Sequence, residues 1–342
     1  DHGKSIVMGY LEFYKLSESD KLEIFTNVTY TTGLPEFAVE KDWWVVRTLE
    51  AVFQTQIAPH VVFKGGTSLS KAWQLISRFS EDIDLALDKK FLGFSDELTR
   101  KKEINKLRRA SFSFISETFL PELKNQFALN GLEVEIQQRS VTSTDQDPLI
   151  LEIYYPNVVD PSEYMEPRIL VELGSRSLRE PFTIRQIRSA IAEEFGDVPF
   201  TDDPILVPSV NPERTFLEKL FLLHEEFLRP KDKIRIDRLS RHLYDIHQIS
   251  QTSYASQAIE DHDLYKSIVE HRSVYTYLSG IDYNSHYPPN LNSVPPHHLI
   301  EAWAKDYDTM QKEMIYGNSL SFNELLKEIK LLLARINGNT PK

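Results

Sequence analysis

The sequence predicts a core of strands interleaved with helices, followed by a part that is helical throughout, so an α/β or α+β class. Three observations carry this. Short apolar segments at strand spacing alternate with helical periodicity as far as about residue 173. From Asn211 onward the apolar spacing is helical. No internal repeat or low-complexity tract breaks the 342 residues, enough for one large domain or two ordinary ones. A boundary near residue 205 divides the chain into 1–205, with a helical extension at its N-terminal side, and 206–342.

Residues 40–54, EKDWWVVRTLEAVFQ, predict a helix because Val45, Leu49, Val52 and Phe53 recur at its period. His60 to Lys64 is a short strand stopped by Gly65 and Gly66, and Thr67 or Ser68 then caps a helix with Leu69, Trp73 and Ile76 on its buried side. Glu81 to Leu87 alternates as a strand, with Asp82 and Asp84 on one face and Ile83, Leu85 and Leu87 on the other. A long charged helix is expected over 97–125, then strands over 132–138, 149–155 and 168–173. Asn211 caps a helix that opens on Pro212, with Leu217, Leu220, Phe221, His224 and Leu228 along its apolar side, so His224 is expected in the core. Ser240 caps another helix through Gln248; a loop with four prolines covers 283–296, and helices follow over 297–313 and 321–336.

No cysteine is present, which excludes disulfides, thiolate zinc sites and cysteine nucleophiles. No apolar run is long enough for a membrane helix and no signal peptide is recognisable, so the expected location is the cytoplasm. The net charge of −12 argues against general nucleic-acid coating. It leaves room for a local basic groove: residues 229–241 carry six positive and two negative side chains, and residues 99–109 carry six and one. No nucleophile elbow, Walker loop or zinc-protease motif occurs.

The stretch from 63 to 87, FKGGTSLSKAWQLISRFSEDIDLAL, concentrates the chemistry. A Gly-Gly turn between strand and helix lets backbone N–H groups approach a phosphate, and Ser68 adds a hydroxyl donor. Sixteen residues after Gly66, Asp82 and Asp84 present oxygens on one side of a strand, a donor set that suits magnesium. If the helix folds back so that the two strands pair, phosphate and metal sites become neighbours.

This order, a glycine-turn helix followed by an Asp-x-Asp strand, resembles the DNA polymerase β nucleotidyltransferase superfamily. The fuller wording looks like the AbiEii/AbiGii toxin family, with Arg78, Ser80, Asp82, Ile83, Asp84 and Leu85 matching its R-x-S-x-D-I-D-L strand. ILVELGSRS (169–177), PERTFLEKLFLLHEE (212–226) and RLSRHLYDIHQI (238–249) resemble its later blocks, so the likeness runs from about Lys41 to Gln248. It implies an α+β fold, with a polymerase-β-like core on a mixed sheet and a helical C-terminal domain contributing Lys219 and Asp245.

The resemblance implies that Asp82 and Asp84 bind Mg2+ (Mn2+ as the alternative ion) at the triphosphate of an NTP. Glu172 is the third carboxylate, preferred over its rival Glu152, as ligand or proton acceptor. Lys64, Gly65, Gly66, Thr67, Ser68, Arg78 and Ser80 would line the nucleotide, with Lys219, Arg238 and Arg241 reaching phosphates and Asp245 orienting Lys219. The function implied is the toxin of a toxin–antitoxin or abortive-infection pair that adds a nucleotide to an RNA acceptor, first of all the tRNA 3′ end. A cognate antitoxin is the expected partner. The alternatives are a small-molecule or protein acceptor, or a non-catalytic nucleotide-binding module.

Overall fold

Seven strands form one mixed sheet in the computed structural model, in the order 135–138, 149–154, 168–174, 82–87, 61–64, 205–210 and 182–187; the structure describes residues 8–95, 98–144, 146–162 and 165–338. The chain divides into two compact units, Asp1–Ala72 with Phe79–Ser209, and Trp73–Arg78 with Val210–Lys342.

In the first unit, α1 (Gly9–Tyr14), α2 (Glu18–Thr32) and α3 (Glu36–Phe53) lead into β1 (Val61–Lys64), α4 (Gly65–Lys71) and β2 (Asp82–Leu87). The ring of Phe13 packs on Phe25 and Trp43, and Trp44 stacks on Tyr155, which ties this helical layer to the sheet region. Strand β1 pairs antiparallel with β2, placing Lys64 opposite Asp84. After α5 (Lys101–Phe114), α6 (Leu120–Leu129), β3 (Glu135–Gln138) and β4 (Leu149–Tyr154), β5 (Arg168–Gly174) returns parallel to β2. β6 (Phe182–Ile187), α7 (Ala190–Phe195) and β7 (Ile205–Val210) complete the unit, and β7 runs parallel to β1. Ile83, Leu85, Val171, Leu173, Leu151 and Ile153 lie fully buried on one side of the central strands. Each contributes roughly 1.5–3 kcal/mol by leaving water.

The second unit adds α8 (Pro212–Phe227), α9 (Ser240–Ser250), α10 (Ser253–Glu260), α11 (His262–Tyr275), α12 (Ile300–Glu313) and α13 (Phe322–Ile336). Helix α13 starts on a capping box in which Ser321 and Glu324 each satisfy the other's backbone N–H. His224 is buried in the core, accepting from the Asn292 N–H at 2.9 Å and lying 2.9 Å from the Ser285 hydroxyl.

Several boundaries differ from the sequence expectation for identifiable reasons. The helix after the glycines begins at Gly65 itself, so Thr67 and Ser68 lie inside it rather than capping it. It also ends at Lys71, before Trp73 and Ile76; Gln74 then adopts a left-handed φ of 54°. The single helix expected over 97–125 is interrupted by a π turn at Ile115–Phe119, next to Pro121, whose ring cannot sit in an unbroken helical ladder. Glu97, its expected start, lies outside the described residues. Asn211 occupies the N-cap position of α8, yet its side chain makes no capping bond there, and Ser240 stands inside α9, where its hydroxyl bonds Asp306. Strands β6 and β7 were not expected: β6 has four exposed positions out of six, so no clear alternation marks it.

Candidate active site

Gly65 joins β1 to α4 with φ +81°, a left-handed conformation that glycine adopts without strain. A Cβ there would collide with the Asp84 carboxylate. The first glycine of the motif is therefore needed for two reasons, and it brings the turn's backbone directly against the acid of the neighbouring strand.

Directly opposite residues on paired strands point to the same face. Lys64, Asp84, Glu172 and Ile150 make one row across β1, β2, β5 and β4, and Asp82, Leu170 and Glu152 make the adjacent row. Asp82, Asp84 and Glu172 thus share one half-buried face. Burial, then the charges of Asp84 and Asp82 and a hydrogen bond to Asp84, push the Glu172 carboxyl up to about 8, with Lys64 opposing. Glu172 thus sits among like charges, surroundings in which a bound cation is favoured.

Glu152 is differently placed. Burial pushes its carboxyl up, but Arg139 at 2.8 Å, Tyr154 at 2.6 Å and Arg168 at 2.9 Å hold it below the usual carboxylate value. It is already neutralised, whereas Glu172 is crowded by acids.

Thr67 spends its hydroxyl on structure, donating to the Asp82 carbonyl and lying 2.9 Å from the Ser80 hydroxyl, so it fastens α4 to the start of β2. The Ser68 hydroxyl is buried without a hydrogen-bond partner among the described residues, a polar group in want of a ligand. Gly66 is half-buried in the first turn of α4. The words LGSRS also have a structural source: buried Asp147 accepts from the Ser175 N–H at 3.1 Å and from Arg176 at 2.8 Å, which fixes the chain leaving β5.

One contributor went unnoticed in the sequence. Lys41 of α3 is buried, with its ammonium on the Glu81 carboxylate and 2.9 Å from the Glu166 carbonyl, so it anchors the residue immediately before Asp82. A lysine inside an otherwise buried helical stretch was the available signal.

In the second unit, Arg78 grips Asp245 through two bonds of 2.7 Å each, and Lys219 reaches the same carboxylate at 3.0 Å. The Lys219 ammonium also lies 3.2 Å from His242 Nδ1, which accepts from it. All four groups are buried. Burial would raise the Asp245 carboxyl, but Arg78 and Lys219 hold it well below the usual carboxylate range. Burial pulls Lys219 below the ordinary lysine value, with Asp245 opposing, and it keeps His242 neutral together with the Lys219 charge. Arg238 is half-buried with φ 59°, its N–H on Asp306 at 2.8 Å; Arg241 is half-buried on α9.

Lys64, Gly65, Asp82, Asp84 and Glu172 are therefore brought together on one sheet face, and Arg78, Lys219 and Asp245 in one buried cluster of the second unit. All donors on the sheet face are carboxylate oxygens, the type that magnesium and manganese prefer. Among the described residues, no three acidic or histidine side chains already close around a common point. The fit to a divalent ion thus rests on donor chemistry and on the acidic crowding that pushes the Glu172 carboxyl up.

The mixed sheet sets a glycine turn against an acidic strand face, as the resemblance to nucleotidyltransferases leads one to expect. A family model described as nucleotidyl transferase AbiEii toxin, type IV TA system, matches residues 47–328, most of the chain, and the chain belongs to that family. It is a nucleotidyltransferase enzyme and a toxin of a toxin–antitoxin system, which implies a nucleotide substrate and a cognate antitoxin. No curated protein matches it. Among the described residues, no helix is long and apolar enough to cross a membrane.

Proposed function

We propose that this toxin transfers a nucleoside monophosphate from an NTP to the 3′ end of an RNA acceptor, tRNA being the first to test, and that it requires Mg2+ or Mn2+. The observation that carries the proposal is the contact between Gly65 and Asp84, which sets a phosphate-sized backbone turn beside an acidic face. Asp82 and Asp84 would hold the ion, with Glu172 in reach of it, and the ion would supply positive charge at the triphosphate. The acceptor hydroxyl attacks the α-phosphorus in line; one P–O bond forms as the bond to the bridging α,β-oxygen breaks, and pyrophosphate leaves.

Glu172 is assigned to ligate the ion or to take the hydroxyl proton, the latter once a bound cation has lowered its raised proton affinity. Gly65, Gly66 and Ser68 would receive phosphate oxygens through backbone N–H groups and the unpartnered hydroxyl. Lys64, with Ser80 beside Thr67, would border the nucleotide. Lys219, fixed by Asp245, and the half-buried Arg238 and Arg241 are assigned to phosphates of nucleotide or acceptor.

An RNA acceptor is supported by the second unit's basic cleft of about 580 Å3. It is lined by Arg229, Lys231 and Lys233 together with Leu228, Leu278 and Ile281. Lys231 and Lys233 are exposed, and Tyr277, one residue before Leu278, is 63% exposed. Exposed lysines in a cleft suit phosphates, and an exposed aromatic ring close in the chain suits unstacked bases.

The test is incubation of purified protein with Mg2+, labelled NTPs and total RNA, with protein and small-molecule fractions run in parallel. Label should enter RNA, and Asp82→Ala or Asp84→Ala should abolish it while the fold is kept. Label confined to protein or small molecules would replace the acceptor assignment; label that survives both substitutions would overturn the site.

A further inference from the structure

We propose that Arg78 is a positioning residue for nucleotidyl transfer: its guanidinium holds the Asp245 carboxylate, and through it the Lys219 ammonium, in one orientation, and it makes no contact with the nucleotide. This rests on the reading above that Lys219 and Asp245 serve the reaction.

The arginine of the R-x-S-x-D-I-D-L word invites assignment to phosphate, but its geometry is already committed. Nε donates to Asp245 Oδ1 and Nη2 to Oδ2, both at 2.7 Å, a fork that only a guanidinium can make. Arg78 is 2% exposed. Lys219 shares Oδ2 at 3.0 Å and places a second donor on His242 Nδ1 at 3.2 Å. Of the three ammonium donors, two are thus directed by protein among the described residues, and the third is left for a phosphate. Without the fork, Asp245 could rotate about its own side-chain bonds, and the lysine would swing with it.

The fork itself is anchored. Arg78 ends the segment Trp73–Arg78, which belongs to the second unit. Trp73 donates to the Val210 carbonyl at 3.0 Å, the Ser77 N–H to the Tyr244 hydroxyl at 3.1 Å, and the Tyr316 N–H to the Ser77 carbonyl at 3.0 Å. Arg78 bridges to the Ile315 backbone. These ties give the guanidinium a rigid base only four residues before Asp82 in the chain, and this accounts for an arginine at that place in the motif.

The test compares Arg78→Met, Arg78→Lys, Lys219→Met, Asp245→Asn and the Arg78→Met/Asp245→Asn double variant in the transfer assay with Mg2+. A displaced lysine should lower kcat by ~100-fold in Arg78→Met, with any rise in NTP KM no larger than that of Lys219→Met, because the lysine's is the only phosphate contact weakened. Arg78→Lys keeps the charge but not the fork, and should recover less than about tenfold. The double variant should be no slower than Asp245→Asn alone, since both changes release the same lysine. Full activity in Arg78→Met, a rise in NTP KM tenfold beyond that of Lys219→Met, or multiplicative losses in the double variant would each overturn the proposal. If Arg78→Met does not fold, Arg78→Lys carries the same comparison. Full activity in Lys219→Met overturns instead the reading on which the proposal rests.

Discussion

Asp84 and Glu172 stand directly opposite one another on the parallel strands β2 and β5, and their carboxyl groups are hydrogen-bonded, with Asp82 two residues along the same face. Two acids facing each other repel when both are ionised, a repulsion that a bound cation would relieve. Function here is maintained against stability.

Replacing Asp84 by Asn should therefore separate the two. Glu172 is held at about 8, above its ordinary value, so its favourable contribution is present at low pH and is lost as pH rises through 8. Burial is the larger cause of that shift, so Asp84→Asn reduces the loss without abolishing it and should raise stability at pH 8 by up to about 1 kcal/mol, read as a higher Tm. Transfer should fall at least ~1,000-fold. Mg2+ should raise the Tm of the unsubstituted protein but not of the variant, as calorimetry with and without the ion would show.

Gly65→Ala should be damaging beyond its size. The added methyl meets the Asp84 carboxylate, and φ +81° is unfavourable for any residue with a Cβ. A loss of roughly 1–3 kcal/mol is expected from denaturant unfolding, together with loss of transfer in protein that remains folded.

The basic cleft has a distinct signature. Lys231→Glu with Lys233→Glu should raise the KM for RNA and lower the slope of log affinity against log salt by about 1–2. The KM for NTP should stay unchanged. Filter binding at several ionic strengths reads the slope.

His224 sets an acid limit on the second unit. Burial and then the neighbouring His286, whose ring lies 4.7 Å away, push it down to about 4, with Glu225 opposing. A depressed folded value means that the contribution is complete above the unfolded value of 6.5 and is lost as pH falls towards 4. Linkage puts the loss at about 3 kcal/mol. His224→Gln should be less stable at pH 7 and show a flatter stability profile between pH 6.5 and 4, measurable by urea unfolding.

Much of the site was legible because its signals are local. A strand that alternates acids with apolar residues must show Asp82 and Asp84 on one side, and a glycine pair after a strand marks a tight turn. Both follow from backbone geometry over fewer than ten residues. The helices after Asn211 were legible because their apolar stripes are long. Strand β6 was not, since its exposed side chains remove the alternation that would reveal it.

Sequence alone determined the residue types of the acidic face, the need for glycine at the turn, and, through four ordered blocks, the family. Only the tertiary structure decided which distant residues meet. It matched Asp84 with Glu172 through strand register, and it engaged Glu152 with Arg139 and Arg168 so that this acid is already paired. It spent Thr67 on the Asp82 carbonyl and turned Arg78 towards Asp245. The physical reason is common to all four. Periodicity shows which face a side chain takes, but its charge state and its duty depend on partners that the chain brings from tens to more than a hundred residues away.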